Sequence, residues 1–223
     1  MIQETPSQQN HLTSAFIGVI FAIIAWAFYV LLIAIAPTPF ANDTLRAIVR
    51  VSVVLLPALI HVARQQENAL DYLQLRSYWL RGLIIGSLVA GIYLGLFFIT
   101  TMQQPMLQLP DNFAIWFNFI IGSPFAEELL FRGVFFNELK RVVAVHWAIG
   151  ISAIFFAILH LPVWLILDGM TLSTALQSFV QISLYGVVFA LLMHVTKSLW
   201  ASLAAHWLNN FILLSIVDGI THS

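Results

Sequence analysis

The sequence has no cysteine, and that excludes disulfides, thiolate nucleophiles and cysteine-ligated metal sites together. It also removes redox chemistry as a guide to compartment. Charge is nearly as scarce. Only 9% of the 223 residues are Asp, Glu, Lys or Arg, where soluble domains carry about 25%. The net charge of −1 leaves no basic face for nucleic acid. Low-complexity tracts, domain linkers and internal repeats are absent too. A transporter built from related halves would show such a repeat.

What is present is apolar: 61% of residues are hydrophobic and the mean hydropathy is +0.93. This composition belongs to a membrane protein. A bilayer is spanned by about 20 apolar residues, which divides the chain into spans at roughly 14–36, 46–63, 79–101, 113–137, 143–166, 175–195 and 199–218. The stretch 163–174 allows a further half-helix, so six to eight spans is the range. The breaks carry turn chemistry: Pro37-Thr38-Pro39, the polar stretch from Arg64 to Ser77, Pro105 and Pro110, and Asp168-Gly169. The expected fold is an all-α polytopic membrane protein, a bundle of about seven transmembrane helices enclosing an intramembrane cavity. A polar, loose N-terminal segment (1–13) precedes one transmembrane domain (14–219), whose catalytic core is expected at about 113–218. The first apolar run exceeds the ~7–15 residues of a signal core and has no Lys or Arg before it, so it reads as a retained helix.

Basic residues orient the chain. Arg64, Arg76 and Arg81 cluster around the second connection, Lys140 and Arg141 in the fourth, and Lys197 in the sixth; the other side has Arg46, with Arg50 a turn deeper. The N-terminus is therefore expected in the cytoplasm and the C-terminus outside. Trp79, Trp147 and Trp200 at one level, and Trp116 and Trp164 at the other, fit two interfacial belts.

Against this background the segment SPFAEELLFRGVFF (123–136) stands out. A charge at mid-bilayer costs roughly 2.5–3.5 kcal/mol, so Glu127, Glu128 and Arg132 together would cost on the order of 8–10 kcal/mol. Charges kept at such a cost mark functional sites. Residues four apart share a helix face, so Glu128 and Arg132 form an internal pair while Glu127 points elsewhere, without a partner on its own helix. Ser123-Pro124 marks a kink or a helix start. Two further polar clusters lie within spans: FAILH, with Phe156 and His160 on one face, and HWLNN, with His206 and Asn210 on one face. The remaining histidines (His11, His61, His146, His194 and His222) fall in loops or at span ends, where hydration accounts for them. Phe97-Phe98 and Phe155-Phe156 read as lipid-facing or packing residues.

Amide hydrolysis needs a base for water, an acid for the leaving amine and donors for the oxyanion. Glu127 with His160 can hold and deprotonate a water, and His206 with the Asn210 amide can stabilise the tetrahedral oxygen. Glu127, His160 and His206 also approximate a His/His/Glu metal shell. An HExxH helix is absent.

EELLFR, FAILH and HWLNN, in this order and each on a span, resemble the EExxxR, FxxxH and HxxxN motifs of the CPBP family. These intramembrane endopeptidases include CAAX prenyl proteases and bacteriocin-processing or self-immunity (Abi) proteins. The similarity covers about Ile121 to Phe211. It implies catalytic roles for Glu127, His160, His206 and Asn210, support from Glu128 and Arg132, and a cavity open toward the membrane or the cytosol. The implied substrate is a membrane-associated, lipidated or hydrophobic peptide or protein, with the bilayer as the other partner. Both glutamate-dependent and metal-dependent mechanisms are described for the family. No cofactor is favoured here; the alternative is a divalent metal such as zinc on Glu127, His160 and His206. Competing readings are a non-catalytic immunity or binding protein of the same fold and, more remotely, a transporter.

Overall fold

A computed structural model describes residues 6–37, 42–65, 67–101, 105–107 and 116–218. Pro110, His222, Thr38 and Pro39 lie outside the described residues. The chain is helical almost throughout. α1 spans Pro6–Ile35, so residues 6–13, read as loose from their polarity, extend the first helix. α2 (Asp43–Ala63) starts at Asn42, whose side chain accepts from the Leu45 amide as an N-cap. A short turn, α3 (Ala69–Tyr72), precedes α4 (Trp79–Thr101). Five helical stretches are long and apolar enough to cross a membrane: Asn10–Ile35, Thr44–Ala63, Trp79–Thr100, Val145–Leu167 and Leu172–Thr196. Their outward faces carry residues such as Ile24, Leu88, Ile99 and Leu184, all more than half exposed. The protein is an integral membrane protein.

The other two expected spans are also helical. The fourth is a continuous rod in which the hydrogen-bond register alternates. It runs through a π-helical segment (Phe117–Gly122), α5 (Ser123–Glu128), a second π-helical segment (Leu129–Phe136) and α6 (Asn137–Val142). Pro124 sits where the first π segment gives way to α5, which fits the kink reading of Ser123-Pro124. Every residue from Ala126 to Leu139 is buried. The rod is the axis of the bundle and has no lipid face over this stretch, so its charges meet protein rather than hydrocarbon. α7 (Val145–Ile158) leads through Pro162 into a third π segment (Val163–Leu167); α8 (Leu172–Thr196) and α9 (Leu199–Ser215) complete the helices. A two-stranded antiparallel ribbon, β1 (Pro105–Leu107) with β2 (Ile216–Asp218), ties the stretch after α4 to the stretch after α9.

α4 packs on α9 through glycine. A Cβ placed on Gly86 would lie 2.1 Å from the Ala201 carbonyl oxygen, and one on Gly82 would lie 2.6 Å from Ser198 Oγ. This is the small-xxx-small approach that membrane helices use in place of a hydrophobic drive. The basic connections converge at one end of the bundle. The Leu199 amide donates to Gln74 O, the Trp200 indole to Leu75 O, and Arg141 pairs with Glu67.

His61 corrects the hydration reading. It is 3% exposed, at the same end, within hydrogen-bond distance of Tyr72 Oη (3.1 Å) and Glu138 Oε1 (3.4 Å), and its ring meets His11 edge-on. Tyr72 Oη donates to Glu138 at 2.6 Å. Burial raises the Glu138 carboxyl, but hydrogen bonds from His61 and Tyr72 and the Arg141 charge outweigh it and hold the group below the usual carboxylate range.

Candidate active site

α5 presents Glu127 and Glu128 between the two π segments, where each carboxylate finds a different set of partners. π turns concentrate at functional sites because they re-aim side chains within an otherwise continuous helix. Glu128 Oε1 lies 3.1 Å from Arg132 Nη1, the (i, i+4) pair expected from spacing, and 3.0 Å from His206 Nδ1. A carboxylate can only accept, so His206 carries a proton on Nδ1. Neutral His206 is then left with a lone pair on Nε2, 3.9 Å from Glu127 Oε2. That separation is too long for a direct hydrogen bond and suits a bridging water.

Glu127 is not unpaired. Arg50, from α2, donates through Nη2 to Glu127 Oε1 at 2.8 Å. The Arg50 guanidinium also lies over the rings of Trp26 (5.4 Å) and Phe119 (5.9 Å). Sequence reasoning used Arg50 only to count charge on one side of the membrane. A signal was present: two glutamates and one arginine within a membrane leave one negative charge unbalanced, and Arg50 lies deeper in its span than Arg46 or Arg81 does. With Arg50 included, the cluster holds two carboxylates and two guanidiniums.

Phe156, placed beside His160 in FAILH and read as packing or lipid-facing, is a packing residue of the site itself. It is 1% exposed. The Arg132 guanidinium sits 4.2 Å above its ring, and the ring meets His160 (5.1 Å) and His206 (5.7 Å) edge-on. Phe189 of α8 stacks on His206 at 4.8 Å. The FAILH phenylalanine thus fills the space between both histidines and the arginine. Phe155, one residue away, packs on Phe16 and Phe135 as a packing residue would.

His160 Nδ1 donates to the Phe156 carbonyl at 3.0 Å, which leaves Nε2 as the acceptor. His160 and Asn210 line one cavity of about 410 Å³ together with Arg46, Arg50, Trp164 and Asp168. Asn210 commits one amide N–H to Phe119 O (2.8 Å), and its Oδ1 accepts from Asn209 (3.1 Å), leaving its second N–H. Glu127, Glu128 and His206 are each 5% exposed or less and do not line this cavity; Glu127 adjoins it through its ion pair with Arg50, which does. The structure therefore groups Glu128, Arg132 and His206 in direct contact, with Glu127 paired to Arg50 and 3.9 Å from His206. His160 and Asn210 are placed on the adjoining cavity surface.

The proposed His/His/Glu metal shell fits this arrangement poorly. Glu127 Oε1 already holds a guanidinium cation, and a dication bound there would lie against it. Among the described residues, no three His, Asp or Glu side chains group as metal ligands.

Residues 109–212 match the family described as type II CAAX prenyl endopeptidase Rce1-like. Through this region the chain is similar to the Rce1-like family. No curated protein and no solved structure matches it. The Rce1-like match covers the rod, α7, α8 and most of α9, and so every residue of the EELLFR, FAILH and HWLNN motifs. Arg50 lies outside it.

Proposed function

We propose that the protein is an intramembrane endopeptidase in which Glu127 activates water. The observation that carries this reading is the 3.9 Å gap between Glu127 Oε2 and His206 Nε2, beside a cavity lined by His160 and Asn210. A water there donates one proton toward Glu127. The Arg50 ion pair requires Glu127 to be ionised, so it starts as a proton acceptor. Water oxygen attacks the scissile carbonyl carbon and its proton passes to Glu127. The resulting oxyanion is met by the free Asn210 N–H. As the tetrahedral intermediate collapses, the C–N bond breaks and the proton held by Glu127 passes to the leaving amine nitrogen. Glu128 acts through His206: it fixes the Nδ1–H tautomer, as a buried acid does for the histidine of a serine-protease triad. Arg132 balances Glu128 and is held by Phe156. We favour catalysis without a resident metal, because Arg50 occupies the position a ligand carboxylate would offer. The substrate is a membrane-associated or hydrophobic peptide or protein; whether it is prenylated is a question for the same experiment. The cytoplasmic N-terminus also belongs to this reading, on the Lys/Arg count.

The test is terminal-peptide proteomics of membranes carrying the wild-type chain or Glu127→Ala, with Glu127→Gln as a gentler variant. New N-termini that need Glu127 would identify the substrate. Loss of a general base costs about 10²–10⁴-fold in rate. Cleavage persisting in both variants would refute the assignment. Stoichiometric zinc in active enzyme, with activity lost to chelator and restored by zinc, would refute the metal-free mechanism.

A further inference from the structure

We infer that the groove between α1 and α2 at the basic end of the bundle holds one anionic phospholipid, its phosphate on Arg64 and an acyl chain lying over Gly18 and Pro57. This surface shares no lining residue with the cavity of His160 and Asn210, and its occupant does not depend on the protease reading.

The shape comes from how the two helices meet. His11 contacts Gln65, Gly18 faces Pro57 and Trp26 lies under Arg50, so α1 and α2 run antiparallel. A Cβ on Gly18 would lie 3.2 Å from the Pro57 Cβ. The missing side chain lets the backbones approach and leaves a trough of about 420 Å³ above that contact. Ile17, Phe21, Leu56 and Ile60 form its rims and are between 45% and 62% exposed. They lie within two spans, where the surrounding medium is hydrocarbon. The eleven residues from Asn10 to Phe21 rise by about 16 Å, close to half of a ~30 Å hydrocarbon core. The groove therefore has the length of one acyl chain in one leaflet.

The charge at one end selects the head group. There the apolar lining gives way to Asn10, Thr13 and Ser14 on α1 and to Arg64, the C-cap of α2 and the only charged residue lining the groove. The described acids of this end are committed elsewhere: Glu67 and Glu138 to Arg141, and Asp71 to Arg76. Among the described residues none forms an ion pair with Arg64. An exposed guanidinium flanked by two hydroxyls and an amide matches a phosphate at the membrane surface. A net negative head group also keeps its full attraction to Arg64, whereas a zwitterionic one brings a cation toward it. A second copy of the chain fits less well, because it would have to offer an acid from a lipid-facing helix. Glu127, Glu128 and Glu138, the acids of the central rod, are buried. Further along the same helix pair, Trp26 of α1 supports Arg50 of α2 at 5.4 Å. A lipid clamped between α1 and α2 would hold that contact together.

The test is native mass spectrometry of the protein released from nanodiscs. The discs hold equal amounts of phosphatidylglycerol and phosphatidylcholine with matched acyl chains. The wild-type monomer should retain one phosphatidylglycerol with about fivefold preference, the effect of one basic residue at a membrane surface. Arg64→Gln changes an exposed side chain and should bring the preference close to one. Ile60→Trp fills the groove from its rim and should release both lipids. Arg76→Gln, in the same basic loop but outside the groove, should behave as wild type. Equal retention of the two lipids by the wild type would overturn the inference, as would a preference that survives Arg64→Gln or retention that survives Ile60→Trp. A loss in Arg76→Gln as large as in Arg64→Gln would mean a general charge effect and no site. A dimer mass that disappears in Ile60→Trp would put a second copy in the groove and overturn the lipid assignment.

Discussion

Replacing Arg50 by Met should destabilise the protein about as much as cutting a core salt bridge, even though Arg50 lies outside every motif. Its Nη2 is 2.8 Å from Glu127 Oε1, and the Glu127 side chain is 2% exposed against 14% for Arg50. Breaking a buried pair costs about 3–5 kcal/mol, most of it from the partner left charged in low dielectric. Glu127 is the more buried partner, so Arg50→Met should sit near the upper end of that range. Glu127→Gln leaves Arg50 some access to cavity water and an amide oxygen to donate to, so its cost should be smaller. For a chain of this size each kcal/mol moves the melting temperature by about 2–4 °C. A loss near 5 kcal/mol therefore predicts a fall of roughly 10–20 °C. The double variant Arg50→Met/Glu127→Gln should recover much of it, giving a coupling of about 2–3 kcal/mol. Melting curves of the four proteins in one detergent or nanodisc close the cycle. Single effects that add to within about 0.5 kcal/mol would refute the pair as a structural element. Activity should vanish in both proteins that carry Gln at 127, whatever their melting temperatures.

Arg132→Ala should lower the melting temperature more than Glu127→Gln, since Arg132 is fully buried and leaves Glu128 short of a cation; equal losses would argue against separate roles for the two glutamates. Gly86→Ala should prevent close packing of α4 on α9 and sharply reduce folded yield, while Gly91→Ala, with nothing within 4 Å, should be nearly silent; size-exclusion profiles of the two distinguish a packing effect from a general one. Lys140 is lowered to about 8 by burial and by the Lys197 and Arg141 charges. Its unfolded value is near 10.4, so the unfolded chain binds more protons between the two values and stability should rise with pH across that window. Lys140→Met should flatten that part of a melting-temperature profile, and an unchanged slope would rule Lys140 out as its source.

The fold was legible because apolar length and turn chemistry are local signals. The ends of α2, α4, α8 and α9 lie within a few residues of their expected positions. Glu128–Arg132 was legible for the same reason, as two residues on one turn. Arg50–Glu127 was not, because its partners are 77 positions apart and only packing brings α2 against α5. His61 was misread because its position near a span end suggested water, whereas α3 folds over it and delivers Tyr72. The π segments have no period that distinguishes them from α-helix in an apolar run. The histidine roles were legible only as membership of a set. That His206 turns Nδ1 to Glu128 and Nε2 toward Glu127 depends on ring orientation, which spacing does not encode.

The balance of the core cluster also governs how the protein responds to membrane voltage. Moving one elementary charge through the full field is worth about 2.3 kcal/mol per 100 mV. Arg50 and Arg132 against Glu127 and Glu128 sum to zero within a few side-chain lengths. The cluster then presents the field with opposed, compact dipoles rather than a charge. An energised membrane neither pulls the rod toward one face nor biases the ionised state of its base. Removing Arg50 would leave one net negative charge buried in the field. Such a variant should gain a dependence of activity and stability on membrane potential that the native protein lacks.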